Sequence, residues 1–221
     1  MGWLRQTTDS SIGGKLIVAV TGLAMVGFVL AHLSGNLLVF GGPQAVNTYA
    51  EGLRKLGALL WVARIGLVAM ALLHIVFAIK LNLANRAARP QAYAVKVYRS
   101  ASFASRSMLL TGLLLLAYIL FHLAHFTFRV TSPEVAALGE SDVYQMIVLS
   151  FQQPLMAGLY IAAMILLGLH LSHGISSLVQ TLGFNHPKYR RLVSAVGPTL
   201  GVLLTLGFSS IPAAVLLGLL K

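Results

Sequence analysis

The chain has 221 residues, 57% hydrophobic and only 10% charged, with a mean hydropathy of +0.84, a profile that belongs to an integral membrane protein and excludes a soluble domain. It has no cysteine, which rules out disulfides, c-type haem attachment, thiolate-ligated iron–sulfur clusters and zinc ribbons. The net charge of +11 would suit nucleic acid in a soluble protein, but here the cations gather in loops on one side of the apolar stretches, so nucleic acid is not an expected partner.

In chain order, residues 1–12 lack the charged and cleavage patterns of a signal peptide, so the first apolar stretch is expected to be retained. A membrane helix needs about 20 apolar residues, and that ruler predicts five spans at 14–39, 57–83, 105–128, 154–178 and 192–219. The expected fold is therefore all-α, an integral membrane bundle forming one transmembrane domain over residues 1–221. Segments 47–56 and 141–150 read as short amphipathic helices at the interface. The link 84–104 carries Arg86, Arg89, Lys96 and Arg99 among Tyr93, Tyr98 and Phe103. Such a surface suits a soluble partner with an acidic rim, and equally the anchoring of topology and contact with membrane lipid headgroups. The sequence shows no evident internal repeat and no low-complexity segment.

With five spans the termini lie on opposite sides. Eleven of the 16 Lys and Arg residues fall on the N-terminal side and five on the other, with four of the five acids. The positive-inside rule then puts the N-terminus in the cytoplasm.

His32, His74, His122 and His170 sit one apiece in the first four spans, and a lone imidazole in hydrocarbon is costly and usually functional. Because the spans alternate in direction, His32 and His122 come out roughly 10 Å beneath the outer surface, and His74 and His170 roughly 12 to 14 Å from the inner one. Two axial histidines fill both open positions of a haem iron, so two pairs point to two haems held between helices. With a core of about 30 Å, the two irons are nominally less than 10 Å apart vertically. Gly27, Gly35, Gly66, Gly112 and Gly158 would let a porphyrin approach, or let helices pack closely. His125 and His173 follow His122 and His170 by three residues on the same helix face, so the ligand in each of those helices stays open on geometry alone. The partner imidazole in each case suits a haem propionate, a quinone or a hydrogen bond. Arg64, Lys80 and Arg106 suit propionates or headgroups, and His186 reads as an exposed loop residue.

The segments "SIGGKLIVAVTGLAMVGFVLAHLSGNLLVF", "NTYAEGLRKLGALLWVARIGLVAMALLHIVFAIKL", "LLLLAYILFHLAHFTFR" and "GLYIAAMILLGLHLSHGISSLVQTLGFNH" resemble the di-haem cytochrome b membrane anchor of succinate dehydrogenases and fumarate reductases. "AHLSGN" and "LHLSHGISSLVQTLG" are the most specific elements. The resemblance implies a five-helix anchor in the bacterial cytoplasmic membrane carrying two b haems. It implies partners as well: a flavoprotein and an iron–sulfur subunit docked on the cytoplasmic side, which handle succinate and fumarate. By motif, His74 and His170 ligate the proximal haem and His32 and His122 the distal haem. Electrons from succinate then reach a membrane quinone, menaquinone being one candidate, and the reverse direction makes a fumarate reductase. Tyr49, Glu51, Arg54 and His125 are the outer-side candidates for the quinone site. Two other readings fit parts of the pattern: a cytochrome b anchor of a hydrogenase or formate dehydrogenase, and a transporter using membrane histidines for protons or metal ions.

Overall fold

The computed structural model describes residues 2, 8, 10–88, 91, 101–184 and 186–221. Arg5 and, in the basic link, Arg89, Tyr93, Lys96, Tyr98 and Arg99 lie outside that set. Every regular element among the described residues is helical, and five of the helices are long and apolar enough to cross a membrane.

Helix α1 (Ser11–Asn36) begins where the Ser10 hydroxyl accepts the Gly13 amide at 2.9 Å, satisfying one of the amides that every helix start leaves open. It tightens into a 3₁₀ turn over Leu37–Gly41. Helix α2 (Pro43–Lys55) is short and amphipathic, and α3 (Ala58–Ala87) crosses back. The third span departs from expectation at its start. Residues Phe103–Arg106 form a separate turn, α4, because Ser107 leaves helical geometry at φ −92°, ψ 3°. The span proper, α5, runs Met108–His122 and then widens into a π-helical turn over Leu123–Thr127. Beyond it come α6 (Pro133–Ala137), α7 (Val143–Phe151), the long α8 (Pro154–Thr181), a 3₁₀ turn over Pro187–Tyr189 and α9 (Arg190–Leu216).

Helix α8 is the hub. It makes the largest contact in the fold, with α9, and also packs on α5 and α1, while α3 leans chiefly on α1. The α8–α9 seam is close because Gly168 faces Gly201: a Cβ on Gly201 would stand 2.6 Å from the Gly168 carbonyl oxygen. Small residues serve this purpose in membrane helices, where association rests on packing and not on expulsion of water. Thr205 reinforces the seam by donating to the Met164 carbonyl at 3.0 Å.

The main buried cluster lies at the end of the bundle away from the N-terminus. There Val39, Val46, Ile147, Val148 and Phe151 close over Ala157, Tyr160 and Ile211. Helices α2 and α7 form this cap and are joined by Asn47, whose amide donates to Asp142 at 3.1 Å and whose oxygen accepts the Tyr144 amide at 3.0 Å. Asp142 in turn caps α7 by accepting from the Gln145 amide. By contrast, α3 buries no residue at all, and its exposed Leu59, Val62, Ile65, Val68 and Leu72 form a lipid-compatible face.

Two stability outcomes follow. Gly201→Leu forces side-chain atoms into the α8 backbone, so the detergent-solubilised protein should lose roughly 1 to 3 kcal/mol and melt at lower temperature; an unchanged Tm would contradict the close seam. Asn47→Ala removes both links between α2 and α7 and should cost about 1 to 3 kcal/mol, read as faster proteolysis of the cap.

Candidate functional site

Two of the histidines, His32 and His122, are in ring contact. Among the described residues no three His, Cys, Asp or Glu side chains converge, so a site with three protein ligands of these types is not formed there. In the half of the bundle away from the N-terminus, His32 of α1 and His122 of α5 face one another with ring centroids 6.0 Å apart and planes at 83°. His32 is bracketed by Phe28 and Phe208, and His122 by Tyr118 and Phe126. In the other half lie His74 of α3 and His170 of α8.

Hydroxyl groups hold the second pair. The Nδ1 of His74 lies 3.2 Å from the Thr21 hydroxyl and 3.1 Å from the Val18 carbonyl oxygen, both on α1. A carbonyl only accepts, so this Nδ1 carries the proton and the neutral ring presents Nε2 as a bare nitrogen. His170 repeats the arrangement on α5, its Nδ1 lying 3.1 Å from the Thr111 hydroxyl. Each threonine spends its own proton one turn back, Thr21 on Ile17 at 2.6 Å and Thr111 on Ser107 at 3.1 Å, which leaves the oxygen free to accept. Each is followed by a glycine that lets the imidazole approach: a Cβ on Gly22 would stand 3.2 Å from His74 Cε1, and one on Gly112 3.3 Å from His170 Cε1.

The sequence reading missed both threonines, although a signal was present. The triplet Thr-Gly-Leu occurs at residues 21–23 and again at 111–113, each time eleven residues before a histidine, His32 or His122. Eleven residues are within about 20° of three full helical turns, so each threonine shares a helix face with its histidine. The separation is about 16 Å along the axis. Of the five glycines expected to let a porphyrin approach or helices pack, Gly112 faces the His170 ring. Gly35 lies beneath the Tyr49 ring, and a Cβ on Gly27, Gly66 or Gly158 would meet nothing within 4 Å.

His125 has a different environment. It lies in the π-helical turn, only 2% exposed, with Nδ1 2.9 Å from the Tyr160 hydroxyl. The same hydroxyl lies 3.4 Å from Nδ1 of His122, so Tyr160 stands between the two imidazoles. His125 also lines a cavity of about 210 Å³ with Ser132, Glu134, Ser150, Gln153 and Met156. The described residues include four buried polar or charged side chains: Thr21, Thr111, His125 and Ser150. Two hold histidines and two line this cavity.

The remaining candidates lie elsewhere. Tyr49, Glu51 and Arg54 are on α2 and do not line the cavity. Glu51 is exposed and bonded to Lys55 at 2.7 Å; that hydrogen bond, with the Lys55 charge, holds its carboxyl below the usual carboxylate range. Arg64 lies over the Trp61 ring at 5.1 Å, and the Lys80 ammonium donates to the Thr8 carbonyl at 3.2 Å. His173 follows His170 by one turn in the same helix, and His186 is exposed and accepts the Lys188 amide.

Comparison with curated proteins and with solved structures gives no match. A family model does match, over residues 82–206, a stretch that holds Thr111, His122, His125, Tyr160 and His170. The match covers more than half of the chain, and the five apolar helices agree with its description: the protein belongs to the succinate dehydrogenase/fumarate reductase transmembrane subunit family.

Proposed function

We propose that this membrane subunit holds two b haems, one between His32 and His122 and one between His74 and His170, and connects the iron–sulfur subunit of its complex to a membrane quinone. The observation that carries the reading is the 6.0 Å between the facing rings of His32 and His122. Imidazole nitrogens bind transition metals, and two rings this close on different helices would hold one between them. When bound, a bis-histidine haem supplies one-electron transfer with the iron closed to oxygen.

The residues around each pair suit this role. Aromatic rings crowd His32 and His122 and limit water, while Thr21 and Thr111 fix the inner rings with Nε2 available to a metal. The basic N-terminal side, to which Lys15, Arg86, Lys188, Arg190 and Arg191 contribute, is the face for the iron–sulfur subunit and its flavoprotein partner. That orientation puts the N-terminus in the cytoplasm of a bacterial cell.

For the quinone, menaquinone or a related compound, the cavity at His125 is favoured over α2. A His122 that binds metal through Nε2 carries its proton on Nδ1 and donates it toward Tyr160. Tyr160 then donates to His125 Nδ1, which leaves His125 Nε2–H as a donor for a quinone carbonyl. The cavity is smaller than the ~300–1,000 Å³ of common ligand pockets, so it admits a ring and leaves the isoprenoid tail in lipid. Tyr49, Glu51 and Arg54 form the competing surface on α2, where Glu51 is exposed and paired with Lys55 at 2.7 Å.

The decisive measurement is the reduced-minus-oxidised spectrum of the complex purified from membranes. A b-type α band is expected in two components; His74→Ala or His170→Ala should remove one and His32→Ala or His122→Ala the other. A complex with no b-type band would sink the proposal, and loss of a haem in His125→Ala with both retained in His122→Ala would move the ligand assignment. His125→Gln should keep both haems and lower quinone turnover about 100-fold or more, the usual scale of a lost proton-transfer group. If Glu51→Gln produced that loss and His125→Gln did not, the quinone would belong on α2.

A further inference from the structure

We infer that Thr21 and Thr111 are positioning residues that set the reduction potential of the inner site, and that Thr111 carries more of this control than Thr21. The inference rests on the haem reading above but concerns residues outside the ligand set. Both hydroxyls are buried, each 3% exposed, and both stand at hydrogen-bond distance from the Nδ1 of an inner histidine. Neither is a random membrane threonine satisfying itself on its own helix. Each does bond one turn back, as such residues commonly do, but it also reaches across to a histidine on a neighbouring helix. Donation by the hydroxyl to a carbonyl polarises it and makes its oxygen a better acceptor.

A hydrogen bond from Nδ1–H fixes the tautomer and ring orientation of a metal-bound histidine and raises the donor strength of the opposite nitrogen. A stronger donor favours oxidised iron over reduced iron, so these bonds hold the potential of the inner site down. The two histidines are not equally supported. His74 has a second acceptor, the Val18 carbonyl at 3.1 Å, which remains if Thr21 loses its hydroxyl. The hydrogen bond found for His170 Nδ1 is the one to Thr111. Thr111 is therefore the sensitive position.

The test is a redox titration of the intact complex carrying Thr111→Val, Thr21→Val and, as the conservative variant, Thr111→Ser. Thr111→Val should raise the midpoint potential of one b component, the one lost in His170→Ala, and weaken retention of that haem about 10- to 100-fold. The other component should titrate as in the wild type. Thr21→Val should shift the same component in the same direction by less, and Thr111→Ser should restore the wild-type potential because it keeps the hydroxyl. If Thr111→Val does not accumulate in the membrane, Thr111→Ala provides the same reading without added bulk. A wild-type complex without b-type absorbance overturns the haem reading and this inference together. A wild-type complex with both components, and a Thr111 variant whose potentials and haem content are unchanged, overturns this inference alone. A larger shift in Thr21→Val than in Thr111→Val overturns the ranking, and failure of Thr111→Ser to restore the potential assigns the effect to the threonine methyl instead.

Discussion

An imidazole inside a lipid bilayer needs polar partners, and this bundle supplies one to Nδ1 of His74, His170, His125 and His122 from neighbouring helices. Hydrocarbon offers no water, so a nitrogen without a partner costs several kcal/mol. Thr21 and Val18 of α1 answer for His74 on α3, and Thr111 of α5 answers for His170 on α8. Tyr160 of α8 answers for His125 and, at longer range, for His122 on α5. In every case the donor and acceptor belong to different spans. The hydrogen bonds thus fix which helices are adjacent, while packing decides how closely they approach.

Packing is unevenly distributed. The α8–α9 seam and the cap of α2 and α7 are dense, whereas α3 touches the bundle along a single side and buries nothing. Helix α9 carries no histidine, and its contribution is to stiffen α8 through the Gly168–Gly201 approach. That matters because α8 supplies both Tyr160 and His170, one for each level. The cavity beside His125 lies at the same end, lined by residues of the α6–α7 region and the start of α8 together with the π-helical turn of α5.

Much of this was legible in the sequence. The five spans are visible because membrane helices are long and uniformly apolar, and the structure moves their ends by a few residues. Ser107 interrupts a stretch whose hydropathy gives no warning of a break, which is why the third span was expected to start too early. The amphipathic segments 47–56 and 141–150 anticipated α2 and α7, but their mutual contact through Asn47 and Asp142 joins residues 95 apart in sequence, which local pattern does not report. The cavity at His125 was beyond reach for the same reason, since Glu134, Ser150 and Gln153 are brought to it by the loop after α5. Tyr49, Glu51 and Arg54 are polar residues on the expected side of the membrane, and the structure places them on α2, apart from the cavity. Thr21 and Thr111 are the instructive case, since buried threonines in membrane helices are usually read as bonded to their own backbone.

The eleven-residue interval between each threonine and its histidine has an evolutionary consequence. A single insertion or deletion inside residues 21–32 or 111–122 would rotate one end of that face against the other by about 100° and slide it by about 1.5 Å. The histidine at one level and the hydroxyl at the other would no longer point to the same side. Length variation among related chains is therefore expected to collect outside these two windows, in the loops and at the outer helix ends, while the windows themselves behave as rulers of fixed length.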